Sequence, residues 1–136
     1  MNPPLPASCF IGLWKVQRRL IDHLNRTSLQ FNGQAHIETG SIIETGNLCG
    51  KQGLLEAKRV YLLAMDDTGV DIRFFDGRDF IRLGLLADQR VIHQCSDDLY
   101  DGRFMFRNPD FWAEIWRVSG PRKRYVSLTR YERILA

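Results

Sequence analysis

Cysteine and histidine are scarce in this chain of 136 residues, with 3 of each, and no long apolar run is present. Cys9, Cys49 and Cys95 are an odd number and lack the paired spacing of a zinc site, so they read as reduced thiols. No metal and no cofactor is expected. No apolar stretch approaches the roughly 20 residues that a membrane-spanning helix needs. The opening Met1-Asn2-Pro3-Pro4-Leu5-Pro6 has neither the basic region nor the apolar core of a signal peptide. Together these absences predict a cytoplasmic protein with no membrane partner. A phosphate-cradling glycine loop, a nucleophile elbow and a metalloprotease motif are also missing. Haem would need an axial ligand, and none of His23, His36 and His93 sits in a recognisable haem context.

Charge of one sign is modest. The net charge is +3, from 19 basic and 16 acidic residues. That falls short of the dense positive field of a nucleic-acid binder, so no nucleic acid is expected as a partner. The distribution is more telling. Arg117, Arg122, Lys123, Arg124, Arg130 and Arg133 gather at the end of the chain, and Asp97, Asp98 and Asp101 form an acidic group before them. Hydrophobic residues at 44% and charged residues at 26% are ordinary globular values. The length fits one domain able to bury about two thirds of its unfolded surface. We divide the chain into an N-terminal arm, residues 1–9, and a folded domain, residues 10–136.

What is abundant is strand signal. Residues 28–38 alternate cleanly: Leu29, Phe31, Gly33, Ala35 and Ile37 share one face, and polar residues share the other. Further strands are read at residues 10–16, 41–49, 54–65, 70–75, 78–87, 91–95, 100–107, 111–119 and 122–134. Asp76-Gly77 reads as a two-residue hairpin turn, and Asp88-Gln89-Arg90 as a link. Residues 17–25 fit either a helix or a continuation of the first strand. The total, about nine or ten short strands, suits a barrel or a sandwich.

Gly12-x-Trp14 on the first strand and an Arg on the last resemble the bookends of a lipocalin-type barrel. In that superfamily the Trp lies across the closed end and the Arg covers it. Phe75-Asp76-Gly77-Arg78-x-Phe80, His93-x-Cys95-x-Asp97-x-x-Tyr100 and Trp116-x-Val118-x-Gly120-Pro121-Arg122-Lys123 extend the likeness. With Ala57-x-Arg59-x-Tyr61 and Tyr131-x-Arg133, they resemble an uncharacterised bacterial and eukaryotic family, a domain of unknown function. The chain departs from that pattern at Ile81 and Arg124. The resemblance implies an all-β fold, a single closed antiparallel lipocalin-like (calycin) barrel of about 8–10 strands, and no established activity. It also favours a long, bent first strand through residues 17–25. Gly12, Trp14 and Arg133 are then the structural closure of one end, with Arg130 as an alternative partner for the Trp.

Strand alternation supplies a pocket map. His93 and Cys95 share a face, as do Trp112, Glu114, Trp116 and Val118, and as do Tyr125, Ser127, Thr129, Tyr131 and Arg133. Such mixed polar and aromatic sets suit the lining of a cavity. Ligand-binding candidates are Arg18, Cys95, Trp116, Arg122, Lys123, Tyr125 and Tyr131. Only one of the adjacent Arg18 and Arg19 can point inward, and a buried Arg needs an anionic partner from the protein or from a ligand. His93 and Tyr100 are the candidate catalytic pair, as acid and base; the plainer reading is a half-buried strand histidine. The expected function is a barrel holding a small amphipathic or anionic molecule. The alternative is an enzyme on the same barrel, a lyase, isomerase or hydrolase of a small metabolite. A homo-oligomer is compatible with either.

Overall fold

Period-two alternation through most of the sequence gives a chain that is nearly all strand. The computed structural model describes residues 7–134. A short 3-10 turn, Ala7–Phe10, precedes β1 (Gly12–Asp22), β2 (Thr27–Ile37), β3 (Ser41–Gly50), β4 (Gly53–Asp66) and β5 (Gly69–Phe74). Then follow β6 (Asp79–Gly84), β7 (Asp88–Cys95), β8 (Asp98–Asn108), β9 (Phe111–Ser119) and β10 (Arg124–Arg133). The ten strands form one sheet in the order β6-β5-β4-β3-β2-β1-β10-β9-β8-β7. Every ladder is antiparallel, and β1 pairs with β10 from Trp14↔Arg133 to Asp22↔Tyr125. The meander thus curls until its first and last strands meet, giving a nearly closed lipocalin-like barrel.

Closure is incomplete between β6 and β7, the two ends of the strand order. There a side chain replaces backbone rungs. The Gln89 carboxamide accepts from the Gly84 amide and donates to the Gly84 carbonyl, both at 2.8 Å, which copies the two bonds of a ladder pair. This caps an edge that would otherwise expose unpaired backbone groups.

One local reading is settled and two change. Of residues 17–25, residues 17–22 continue the first strand as the resemblance favoured, and the chain then turns at Asp22, whose Oδ1 accepts the amides of Leu24 and Asn25, both at 3.0 Å. Residues 88–90 are not a link but the start of β7. Their polar character belongs to an outer sheet face, where cross-strand pairs Arg103–Asp88 (2.6 Å) and Arg90–Asp101 (2.8 Å) form. The Asp76-Gly77 hairpin is wider than two residues. Phe74 N donates to Arg78 O at 2.9 Å, Gly77 takes φ 91°, and the β5–β6 register shifts between Ile72 and Arg73.

Because consecutive strands run in opposite directions, the turns after β1, β3, β5, β7 and β9 share one end, which is open. The other end is closed by apolar packing. Trp14 is fully buried and donates to the Phe10 carbonyl at 3.0 Å. The Arg133 guanidinium lies 4.3 Å from the Trp14 ring and donates to the carbonyls of Cys9, Ile11 and Pro109 and to Asp110. Gly12 lies beneath it, and a β-carbon there would collide with the Arg133 guanidinium. Arg130 is exposed on the outer face.

Gly33 and Gly46 oppose each other across β2 and β3, and a β-carbon on either would strike the other strand's backbone. This close approach lets the sheet coil. Gly46→Val is expected to cost on the order of 1–3 kcal/mol through forced overpacking. Gly40→Ala, whose β-carbon would meet open space, is the control and should cost far less. Urea unfolding midpoints of the two variants check this.

Candidate functional site

The inner faces of β1, β3, β4, β9 and β10 bring five polar side chains together in the middle of the barrel. Glu44, 2% exposed, is the hub. Arg18 forks onto it, Nη1 to Oε1 at 2.8 Å and Nη2 to Oε2 at 3.1 Å. Arg59 donates from Nη2 to Oε2 at 3.1 Å, and the Tyr131 hydroxyl donates to Oε2 at 2.6 Å. Arg18 is then nearly saturated, since Nε also donates to Thr129 Oγ1 at 2.8 Å and Nη2 to the Tyr131 hydroxyl at 2.9 Å. Burial by itself would raise the Glu44 carboxyl, but the guanidinium groups of Arg59 and Arg18 and their hydrogen bonds prevail and hold it down at about 2. Glu44 is therefore ionised.

Glu114, on β9, is also buried but poorly paired. Its Oε1 lies 3.3 Å from the Tyr131 hydroxyl, 3.6 Å from Arg18 Nη2 and 3.9 Å from Arg59 Nη2. Burial pushes its carboxyl above the ordinary range, with Arg18 and Arg59 opposing. The Tyr131 ring stacks on Trp112 at 3.7 Å and 3°, which fixes the hydroxyl in this cluster. Burial, with the carboxylates of Glu114 and Glu44 nearby, drives the Tyr131 hydroxyl well above its usual value, so it stays protonated.

A cavity of about 260 Å³ opens beside this cluster. Leu20, Leu29, Phe31, Leu48 and Ala57 wall it together with the exposed Lys58, and Arg18, Glu44 and Arg59 form its polar floor. The volume is close to the lower end, about 300 Å³, of common ligand pockets. Arg59 has spare capacity: its side chain is 40% exposed, its Nε is buried without a hydrogen-bond partner, and its side chain makes a single hydrogen bond, to Glu44. The opposite wall is filled by the protein's own aromatics. Phe80 stacks between Tyr61 (5.7 Å, 11°) and Trp116 (5.3 Å, 22°).

The structure distributes the candidate residues unevenly. Arg18 points inward and Arg19 is exposed, and Arg18 finds its anion in Glu44. Tyr131 lies in the central cluster and Trp116 in the aromatic wall. His93 packs edge-on against Phe80 at 5.3 Å and lies 5.9 Å from Tyr100, ring centre to ring centre. Tyr100 accepts from Lys123 Nζ at 3.1 Å, and Lys123 also approaches Asp98 at 3.4 Å. Arg122 is exposed on the open-end turn, while Cys95 and Tyr125 are half-buried near it. His93, Tyr100 and Lys123 thus cluster at the rim, apart from the Glu44 network. Glu44 and Arg59 were not among the candidate residues, and Glu114 was noted only as part of a face. The signal for Glu44 was there: it shares strand parity with Ile42 and Leu48. Among the described residues, no group of three or more His, Cys, Asp or Glu side chains is placed to hold a metal ion. No helix among them is long and apolar enough to cross a membrane.

A family of unknown function, DUF6314, matches residues 10–133. The chain belongs to that family. No curated protein matches this DUF6314 sequence. Among solved structures, the S-type phycobiliprotein lyase CPES from Guillardia theta is similar, with a TM-score of 0.61 at 10% identity over 95% of this chain and 90% of that one. A protein of unknown function from the DUF3598 family of Nostoc punctiforme gives 0.65 at 17% identity over 98% of this chain. This chain spans 51% of that protein, about half its length. At such identities the likeness shows a shared barrel fold.

Two outcomes follow from the central network. Glu44→Leu leaves Arg18 buried without its carboxylate and is expected to cost about 3–5 kcal/mol, read by urea unfolding. The pH dependence is equally specific. Because folding lowers the Glu44 carboxyl to about 2, its contribution is complete above the unfolded value of 4.5 and is lost as pH falls toward about 2. Acid titration of stability should show this limb in the native chain and a shallower one in Glu44→Gln.

Proposed function

We propose that this DUF6314 barrel is a small-molecule binding protein. Its ligand is amphipathic, with an apolar body against Leu20, Leu29, Phe31, Leu48 and Ala57 and an acidic head on Arg59. The observation that carries this reading is an arginine with one side-chain hydrogen bond and an unpartnered Nε, placed on the wall of a cavity that five apolar side chains also line. A buried donor left without an acceptor costs about 1–3 kcal/mol, more when charged. A carboxylate, sulfate or phosphate head suits the planar guanidinium fork of Arg59, whose side chain is partly exposed and is hydrogen-bonded to Glu44 alone. Glu44 fills this role only in part: it accepts from Arg59 Nη2, while Arg18 and Tyr131 occupy the rest of its carboxylate. The rim residues Arg122 and Lys123 carry positive charge at the same end and draw an anion toward the mouth.

The enzyme alternative, with His93 and Tyr100 as acid and base, has less support. His93 forms no side-chain hydrogen bond among the described residues and packs on aromatic rings, while the Tyr100 hydroxyl accepts from Lys123. A similar barrel does serve a phycobiliprotein lyase in Guillardia theta, so the fold accommodates catalysis elsewhere.

Titration calorimetry with octanoate and octanol tests the binding reading. Octanoate should bind, and octanol should bind more weakly. Arg59→Met should weaken octanoate about tenfold to a hundredfold, the worth of a charged hydrogen bond, and leave octanol little changed. Ala57→Phe, which fills the cavity and leaves the arginine in place, should block both. Equal octanoate affinity in the native chain and in Arg59→Met, or no binding at all, would overturn the proposal.

A further inference from the structure

We propose that the barrel binds its acidic ligand as a monoanion only when Glu114 is protonated, so that binding takes up one proton wherever the empty barrel has Glu114 ionised. This rests on the binding reading above and adds a charge rule to it.

Proton counting supplies the first argument. The Tyr131 phenol has one proton, and its 2.6 Å contact with the ionised Glu44 is the short, charge-assisted bond that uses it. Arg18 Nη2 donates to the same oxygen at 2.9 Å. The remaining contact, 3.3 Å to Glu114 Oε1, has no proton left from the phenol. It is a hydrogen bond when Glu114 carries the proton and donates to the second lone pair of the phenol oxygen. An ionised Glu114 would face that oxygen lone pair to lone pair.

Charge counting supplies the second. The titratable groups facing Glu114 are Arg18 from β1, Glu44 from β3, Arg59 and Tyr61 from β4, and Tyr131 from β10. Two of these are cations and one, Glu44, is an anion that both share, so with Glu114 neutral the cluster carries one net positive charge, open to a ligand at Arg59, the more exposed guanidinium. A monoanion on Arg59 balances it. An ionised Glu114, 3.9 Å from Arg59 Nη2, would balance it instead. The ligand head and the Glu114 charge therefore compete for one guanidinium, and filling one site empties the other. A dianion would exceed the single net positive charge of the cluster and bring its second charge toward the buried Glu44, which is costly in a low-dielectric interior; Lys58, also on the cavity lining, is exposed to solvent.

The buried proton also has space for a water beside it. A void of about 30 Å³ joins Arg59, Glu114, Tyr131 and Trp112, and both orphaned donors, Arg59 Nε and Trp112 Nε1, belong to residues on its wall. It has room for about one water with several polar partners.

The test uses octyl sulfate, whose head stays singly charged throughout, and calorimetry in buffers of different protonation enthalpy. In the native chain affinity should fall as pH rises through the Glu114 titration, by up to tenfold per pH unit, with uptake approaching one proton per ligand. Glu114→Gln should bind with pH-independent affinity and no proton uptake. His93→Gln should keep the native pH dependence. Octyl phosphate, doubly charged at alkaline pH, should bind there more weakly than octyl sulfate. A flat pH profile without proton uptake, a pH dependence that follows His93, or tighter binding of the dianion would overturn the inference while Arg59-dependent binding stands. If Arg59→Met binds octyl sulfate as the native chain does, the binding reading itself fails, and this one with it.

Discussion

The ionised carboxylate of Glu44 is the constraint around which the barrel interior is arranged. It is held from β1 by Arg18, from β4 by Arg59 and from β10 by Tyr131. Those strands lie far apart in the chain, and the Tyr131 contact spans 87 positions. A buried ion pair is weak evidence of net stability, because desolvation offsets most of the Coulomb gain. Register is another matter. A slip of β1 by one residue would turn Arg18 out to solvent and leave Glu44 without its fork. The cluster therefore penalises misregistered closure at the seam where the first and last strands meet.

The barrel divides its work between its ends. At one end Trp14, Phe10 and Trp112 pack together and Arg133 ties the 3-10 turn, the β8–β9 turn and the last strand with one guanidinium. That end has little room. At the other, the apolar wall from β1 to β4 leaves a cavity, while Phe80 and its stacked neighbours fill the opposite side. The polar cluster lies between, where a buried charge meets a space that another molecule can enter.

Much of this was legible in the residues. Alternation in residues 28–38 set the face of β2, and the sets containing Trp112 and Tyr131 do line the interior. The requirement that an inward Arg18 find an anion followed from desolvation alone, and Glu44 meets it. Attention to the segment from His93 to Tyr125 was drawn by its density of reactive side chains, yet the central network draws on β1, β3 and β4 as well. Glu44 was overlooked because a single Glu in a short strand looks the same whether it faces water or a guanidinium. The polar start of β7 looked like a loop for a similar reason: its partners, Asp101 and Arg103, are brought alongside only by the β7–β8 ladder.

The sequence by itself determined the period of each strand, hence which side chains share a face, and it marked the turns between them. These are local properties, carried by alternation and by residues such as Gly77. The tertiary structure decided which faces meet. Arg18, Glu44, Arg59, Glu114 and Tyr131 come from five strands, and their proximity depends on the stagger with which the sheet closes. Glu44 and Glu114 are the same residue type on equivalent inner faces, and no local pattern separates them. One sits between two guanidinium groups and a phenol and is ionised; the other lies beyond their close reach, and burial favours its neutral form.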